Sequence, residues 1–261
     1  MYICWEHLNK YNVLYLDITW FIANVRDKKD TVSYLQKIVL SELHATYPSI
    51  CPVDETLPMM LSAIARTVGE KFIVIIDERD ALFREQKDDD ELQKDYIELL
   101  RGLFKSQETD RMIEAAYMTG ILPIKKYGKQ SALSDFLEYT MVQPEPMEEY
   151  VGFTEKEVKD LCEKTELDFE KFKSWYDGYV LGDGVHIYNP KSVMEAVMRK
   201  RIRNYWSQTE TYESLKVYID LDEDGLKEAV VQMLGGAHIP IVTEMFQNDM
   251  VHISIMNSFE L

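Results

Sequence analysis

Apolar residues recur along this chain with two different periods, and the alternation between them lays out the elements. Val13–Thr19, V-L-Y-L-D-I-T, is a short, mostly apolar run that suits a buried strand. Thr31–His44 carries Val32, Leu35, Ile38, Val39 and Leu43 at helical spacing, with Asp30 placed to cap its start. Pro48 and Pro52 bracket a loop, and Leu57–Val68 reads as a second helix. The Gly69-Glu70-Lys71 break then leads into the strand Phe72–Ile76. That run, F-I-V-I-I, is continuous rather than alternating, which predicts a parallel strand buried on both faces. Phe83–Glu91 is charged and predicts a loop, Glu91–Phe104 an amphipathic helix, and Ile113–Thr119 a third strand ended by Gly120. Strands and helices alternating at these lengths predict a mainly parallel α/β sheet flanked by helices.

The pattern changes after Pro144-Glu145-Pro146, which suggests two domains, 1–145 and 146–261. Thr154–Cys162 predicts a helix with a capping box, Thr154 at the cap and Glu157 three residues on. Asp168–Tyr176 predicts another helix, and the glycine-rich stretch Asp177–His186 a tight turn or hairpin. Pro190–Lys200 reads as a helix that starts with Pro after an Asn189 cap. Tyr212–Ile219 and Glu223–Leu234 suit helices, and Ile239–Phe246 and Met250–Ile255 two short strands. The second domain is therefore expected to be helical or winged-helix-like.

Composition narrows the function classes. No window holds the roughly 18 continuous apolar residues of a membrane span. The N-terminus shows no basic region followed by an apolar stretch. Three widely spaced cysteines (Cys4, Cys51 and Cys162) suit a reducing cytoplasm and offer no zinc pattern or disulfide framework. The net charge of −17 disfavours a broad phosphate-binding surface. One local exception is Arg199-Lys200-Arg201-Ile202-Arg203, which reads either as a basic patch or as the positive end of a helix. The five histidines show no metal-ligand spacing, and no nucleophile elbow is present. Glu155-Lys156-Glu157 falls on a predicted helix, the wrong setting for a nuclease E-x-K element.

Chemistry concentrates at Phe72–Asp80, F-I-V-I-I-D-E-R-D. Two acids follow a buried strand where open α/β sheets place their ligands. In P-loop NTPases this is the Walker B arrangement, in which the Asp holds Mg²⁺ and the following Glu polarises water. Thr119, ending the next strand, suits a sensor of the γ-phosphate; a Thr before a Gly also simply ends strands.

The order I-I-D-E-R-D, M-T-G-I-L-P-I-K-K, Y-V-G-F-T-E-K-E-V, W-Y-D-G-Y and Y-N-P-K-S-V resembles the AAA-ATPase-like family of bacterial proteins, from about Tyr11 to Ser207. The resemblance implies a P-loop NTPase fold that binds ATP and Mg²⁺, with Asp77 as the Mg²⁺ acid, Glu78 as the catalytic carboxylate and Thr119 as sensor. Ser131 and Ser134 match a short segment without an assigned role, and Arg79 stands where the family usually has Tyr. It also implies self-association, with an arginine finger for which Arg84, Arg101 and Arg111 are candidates. A longer version would carry a domain of the PD-(D/E)XK nuclease superfamily.

The sequence departs from the family in one large respect: these 261 residues contain no G-x-x-x-x-G-K-[ST] loop. The Gly128-Lys129 pair has Pro123 in place of the first Gly and follows the acid-bearing strand. Backbone N–H groups of that loop hold the phosphates, so the expectation is weak ATP binding by a fragment or degenerate copy. The alternative is a non-enzymatic interaction or nucleic-acid-binding module of a mobile-DNA or defence-related protein. W-Y-D-G-Y at Trp175–Tyr179 has two readings. In one, Trp175 and Tyr176 pack a helix end, Asp177 caps a turn and Gly178 takes a glycine-only conformation. In the other, it is a lid element that senses nucleotide or a partner.

Overall fold

A computed structural model of the chain describes residues 7–50, 52, 56–86, 88–121, 136–141 and 143–205, with 228, 231–233, 235 and 237. The chain divides into two compact units, Met1–Phe136 and Leu137–Leu261.

The first unit is built on three parallel strands, β1 (Asn12–Asp17), β2 (Phe72–Asp77) and β3 (Ile113–Met118), in the order β1-β2-β3. Helices α1 (Ile18–Asn24), α2 (Thr31–Thr46) and α3 (Leu57–Val68) connect β1 to β2. Helices α4 (Ala81–Glu85), α5 (Asp90–Phe104) and α6 (Thr109–Met112) connect β2 to β3. Parallel neighbours require such crossovers, and helices supply them. Leu57, Met60, Leu61 and Ile64 of α3 are fully buried, in one core with Leu16, Val74, Ile76, Tyr96 and Leu103. Each large side chain buried in this way contributes about 1.5–3 kcal/mol. Packing therefore holds a 12-residue helix that would be marginal alone. Its ends are set locally, by Pro58 in the first turn and by Gly69 at φ 79°.

The structure corrects the expectation that F-I-V-I-I is buried on both faces. Phe72, Val74 and Ile76 are buried, while Ile73 and Ile75 are half-buried. Their register partners repeat the pattern. Val13 (61%), Tyr15 (56%) and Tyr117 (53%) are exposed on that same parity. Among the described residues, the core that the helices make with the sheet takes in one face.

Element boundaries differ locally from the expected ones. The expected strand Val13–Thr19 ends at Asp17, because the Asp17 carboxylate accepts the Trp20 N–H at 3.0 Å and starts α1. The expected loop at Phe83–Glu91 is partly helical, since α4 runs on from the bend at Asp80. Asp30 makes no capping bond to α2; Asp27 instead caps the short 3₁₀ turn Lys28–Asp30.

The second unit packs α7 (Glu155–Thr165), α8 (Phe169–Tyr176) and α9 (Pro190–Arg199) with an antiparallel sheet. Its strands are β4 (Phe153–Thr154), β5 (Asp177–Leu181) and β6 (Val185–Tyr188), in the order β4-β6-β5. Thr154 and Glu157 form the capping box of α7, and Asp168 and Asn189 cap α8 and α9 through their side chains. The β5–β6 hairpin turns at Gly182 (φ 48°) and Gly184 (φ 97°). The strands expected at Ile239–Phe246 and Met250–Ile255, and most of the helices expected between 212 and 234, lie outside the described residues.

Candidate functional site

The C-terminal edge of the parallel sheet brings Asp17, Asp77 and Thr119 side by side. Register sets Asp17 against Asp77. Thr119 is held on the other flank, where its N–H donates to the Ile76 carbonyl and its carbonyl accepts the Arg79 N–H, both at 2.9 Å. Parallel strands leave the edge in the same direction, so three residues distant in sequence meet at one rim.

Asp77 is held by three donors. Its Oδ1 accepts the Thr119 hydroxyl and the Glu78 N–H, the latter at 3.1 Å. Its Oδ2 accepts the Tyr15 hydroxyl at 3.0 Å. The Thr119 bond is the foremost cause that holds the Asp77 carboxyl below its usual range, with Tyr15 and the Glu78 N–H adding to it against partial burial. In return, the hydrogen bond to Asp77 pushes the Tyr15 phenol up.

Glu78 sits at φ 50°, a left-handed conformation that costs a residue with a Cβ about 1–2 kcal/mol. Its N–H lies within reach of both Asp77 Oδ1 and Thr119 Oγ1, the latter at 3.3 Å. The Glu78 carboxylate pairs with the Arg84 guanidinium from α4. Burial nonetheless raises the Glu78 carboxyl above its usual range, helped by Asp80, Asp77 and Asp17 and opposed by Arg84. The two adjacent acids are thus driven in opposite directions, one toward charge and one toward holding a proton.

Asp80 is the residue that sequence reasoning left without a role. It is 1% exposed. Its Oδ2 meets Arg84 Nε at 2.9 Å, and its Oδ1 accepts the Ile121 N–H at 3.2 Å. One buried carboxylate therefore ties α4 to the segment that carries Thr119. Gly120 is required by this contact, since a Cβ there would overlap Asp80 Oδ1. The available signal was the second Asp of D-E-R-D together with a Gly directly after Thr119.

Of the finger candidates, Arg84 is engaged by Glu78 and Asp80 of its own chain, Arg111 pairs with Glu108 at 3.2 Å, and Arg101 lies in the last turn of α5. Ser131, Ser134 and the Gly128-Lys129 pair lie outside the described residues. Among the described residues, no group of three or more His, Cys, Asp or Glu side chains is arranged to hold a metal by itself. Mg²⁺ asks less: one or two carboxylates, with water and phosphate oxygens completing its shell. Asp77 fits that requirement. Its three donors favour the ionised form and leave part of its roughly four-site acceptor capacity open.

In the second unit, W-Y-D-G-Y departs from its structural reading in three places. Tyr176 is buried as expected, but Trp175 is exposed. Asp177 does not cap a turn: its oxygens lie 2.9 and 3.0 Å from His186 Nδ1 across the hairpin. Gly178 is not among the glycines with positive φ, and a Cβ there would meet nothing within 4 Å.

Comparison with known proteins bears on the family of the first unit. Residues 2–129 match the model of the AAA-ATPase-like family, described as a predicted AAA-ATPase. The resemblance read from the sequence is borne out over that span, which stops short of the second unit. The chain is also similar to an uncharacterised protein in the vnfD 5′ region of Azotobacter chroococcum mcd 1, at 25% identity over 146 residues. That match covers 55% of this chain and 28% of the relative, so the chain spans little more than a quarter of it. No solved structure matches. Among the described residues, no helix is long and apolar enough to cross a membrane.

Proposed function

We propose that the edge formed by Asp77, Glu78 and Thr119 is the metal- and water-handling side of an ATP-hydrolysing site of the AAA type. One observation carries the reading: Asp77 and Glu78 stand together at the end of a parallel strand, where Thr119 from the end of the neighbouring strand donates to the Asp77 carboxylate, and their surroundings push Asp77 down and Glu78 up in proton affinity. That division suits one acid to stay charged and the other to accept a proton. Mg²⁺ held at Asp77 would supply charge against the phosphate oxygens. Thr119 fixes the Asp77 carboxylate and presents its hydroxyl at the rim. Glu78 takes a proton from water, with Arg84 setting the orientation of its carboxylate.

The backbone cradle that a G-x-x-x-x-G-K-[ST] loop gives to phosphate is not supplied by that motif within these 261 residues. On this reading the chain alone binds Mg-ATP weakly. Calorimetric titration that found micromolar affinity in this chain would overturn that expectation. The metal assignment has its own test. Millimolar Mg²⁺ should shift the ¹⁵N–H signals of Glu78 and Thr119, and Asp77→Asn should abolish the shift. Shifts that persist in the variant refute Asp77 as the ligand.

A further inference from the structure

The second unit carries a basic, aromatic surface that the acidic balance of the chain does not foreshadow. Residues 190–205 hold five cations and one carboxylate, in a chain of net charge −17. Helix α9 ends at Arg199, with Lys200 in the left-handed conformation. The helix dipole accounts for cations in that last turn, and Arg199 is ion-paired with Glu195. Arg201 and Arg203 lie beyond the helix, are exposed, and form no ion pair among the described residues. Together with Arg199 they line a hollow of about 520 Å³.

A second hollow, of about 430 Å³, adjoins the first through Asn204 and Tyr205, and Trp175 and Tyr179 line it. Both aromatics are exposed, at 51% and 41%. Exposed aromatic rings beside guanidinium groups offer a flat ligand both a stacking face and positive charge. The arrangement is braced from beneath. The Tyr176 hydroxyl donates to the Arg203 carbonyl at 2.6 Å and accepts the Arg203 N–H at 2.9 Å. The Tyr205 hydroxyl donates to the Arg201 carbonyl at 3.0 Å, and its ring stacks on Tyr176. W-Y-D-G-Y therefore has a division of its own: Tyr176 anchors the arginine segment from the core, while Trp175 and Tyr179 stand beside it at the surface.

We propose that Trp175, Tyr179, Arg199, Arg201 and Arg203 form a binding surface for single-stranded nucleic acid. Arginines neutralise the phosphates of such a strand, and its unpaired bases stack on exposed aromatic rings. A duplex offers the phosphates but keeps its bases stacked internally, so it leaves Trp175 and Tyr179 unused. An acidic peptide likewise engages the arginines alone.

The test is fluorescence anisotropy of a labelled 20-nucleotide DNA strand with the full chain, at salt between about 50 and 200 mM. Binding should weaken as salt rises, and Arg201→Ala or Arg203→Ala should each reduce the log–log salt slope by about 0.7. Trp175→Ala should weaken binding about 5- to 150-fold with the slope unchanged. Trp175→Phe, which keeps an aromatic face, should recover most of the loss. Circular dichroism of each variant checks that these surface changes leave the fold intact. Four results overturn the proposal: no binding at the lowest salt, arginine variants that bind normally, a duplex that binds as tightly as the single strand, or polyglutamate that competes as well as the oligonucleotide.

Discussion

Replacing Thr119 with Val keeps the outline of the side chain and removes one hydroxyl, so it isolates what holds Asp77 charged. In the native site that hydroxyl is the foremost of three donors to the carboxylate. A hydrogen bond to a charged group contributes about 1.5–3 kcal/mol. The lower end applies here, because Asp77 Oδ1 keeps the Glu78 N–H at 3.1 Å and the edge is partly open to water. Thr119→Val should therefore cost about 1.5–2 kcal/mol at pH 7, a fall of about 0.5–2 M in the urea midpoint. Asp77 has a folded pKa below its unfolded value, so its contribution is complete above about pH 3.9 and is lost as pH falls through the folded value. The deficit of the variant should accordingly narrow below about pH 4. Titration of the Asp77 ¹³Cγ signal should show a higher pKa in Thr119→Val and a smaller rise in Tyr15→Phe, whose hydroxyl water can replace. If Tyr15→Phe raises the pKa more than Thr119→Val does, or the deficit widens in acid, the account of Asp77 is wrong.

Gly120→Ala should destabilise the first unit by about 1–3 kcal/mol, because Asp80 is held on both sides and cannot retreat. A thermal melt within about 0.5 kcal/mol of the wild type would refute the contact. Thr154→Ala removes the capping box of α7 and should cost about 1 kcal/mol, read from thermal unfolding of the second unit. Glu155, pulled down to about 2 by Lys159 and Lys173, stabilises the fold above its unfolded pKa of about 4.3 and loses that effect as pH drops toward 2. Glu155→Gln should flatten this stretch of the acid-unfolding curve, and an unchanged slope would count against the ion pairs.

What could be read from the sequence was decided within a few residues. Pro58 and Gly69 bound α3, and Thr154, Asp168 and Asn189 start their helices, because capping is chemistry between near neighbours. Asp77 and Thr119 were legible because each ends an apolar strand. Their partners were not: Tyr15 reaches Asp77 from 62 residues away, and Asp80 reaches Ile121 across 41. Such contacts depend on strand order and register, which local periodicity does not encode. The same limit hid the open face of the sheet, since a continuous apolar run is compatible with one covered face or two.

That face, left open by the described residues, gives the acidity of the chain a colloidal meaning. Val13, Ile73 and Ala115 stand in one row of the register, and Tyr15, Ile75 and Tyr117 in the next. Two copies that met face to face would bury this patch, so attraction between molecules is built into the surface. The charge of −17 opposes the encounter, with a reach of about 8 Å at physiological ionic strength and about 3 Å in molar salt. Raising salt should therefore favour association of this chain: screening the charge shortens the repulsion and leaves the apolar attraction in place.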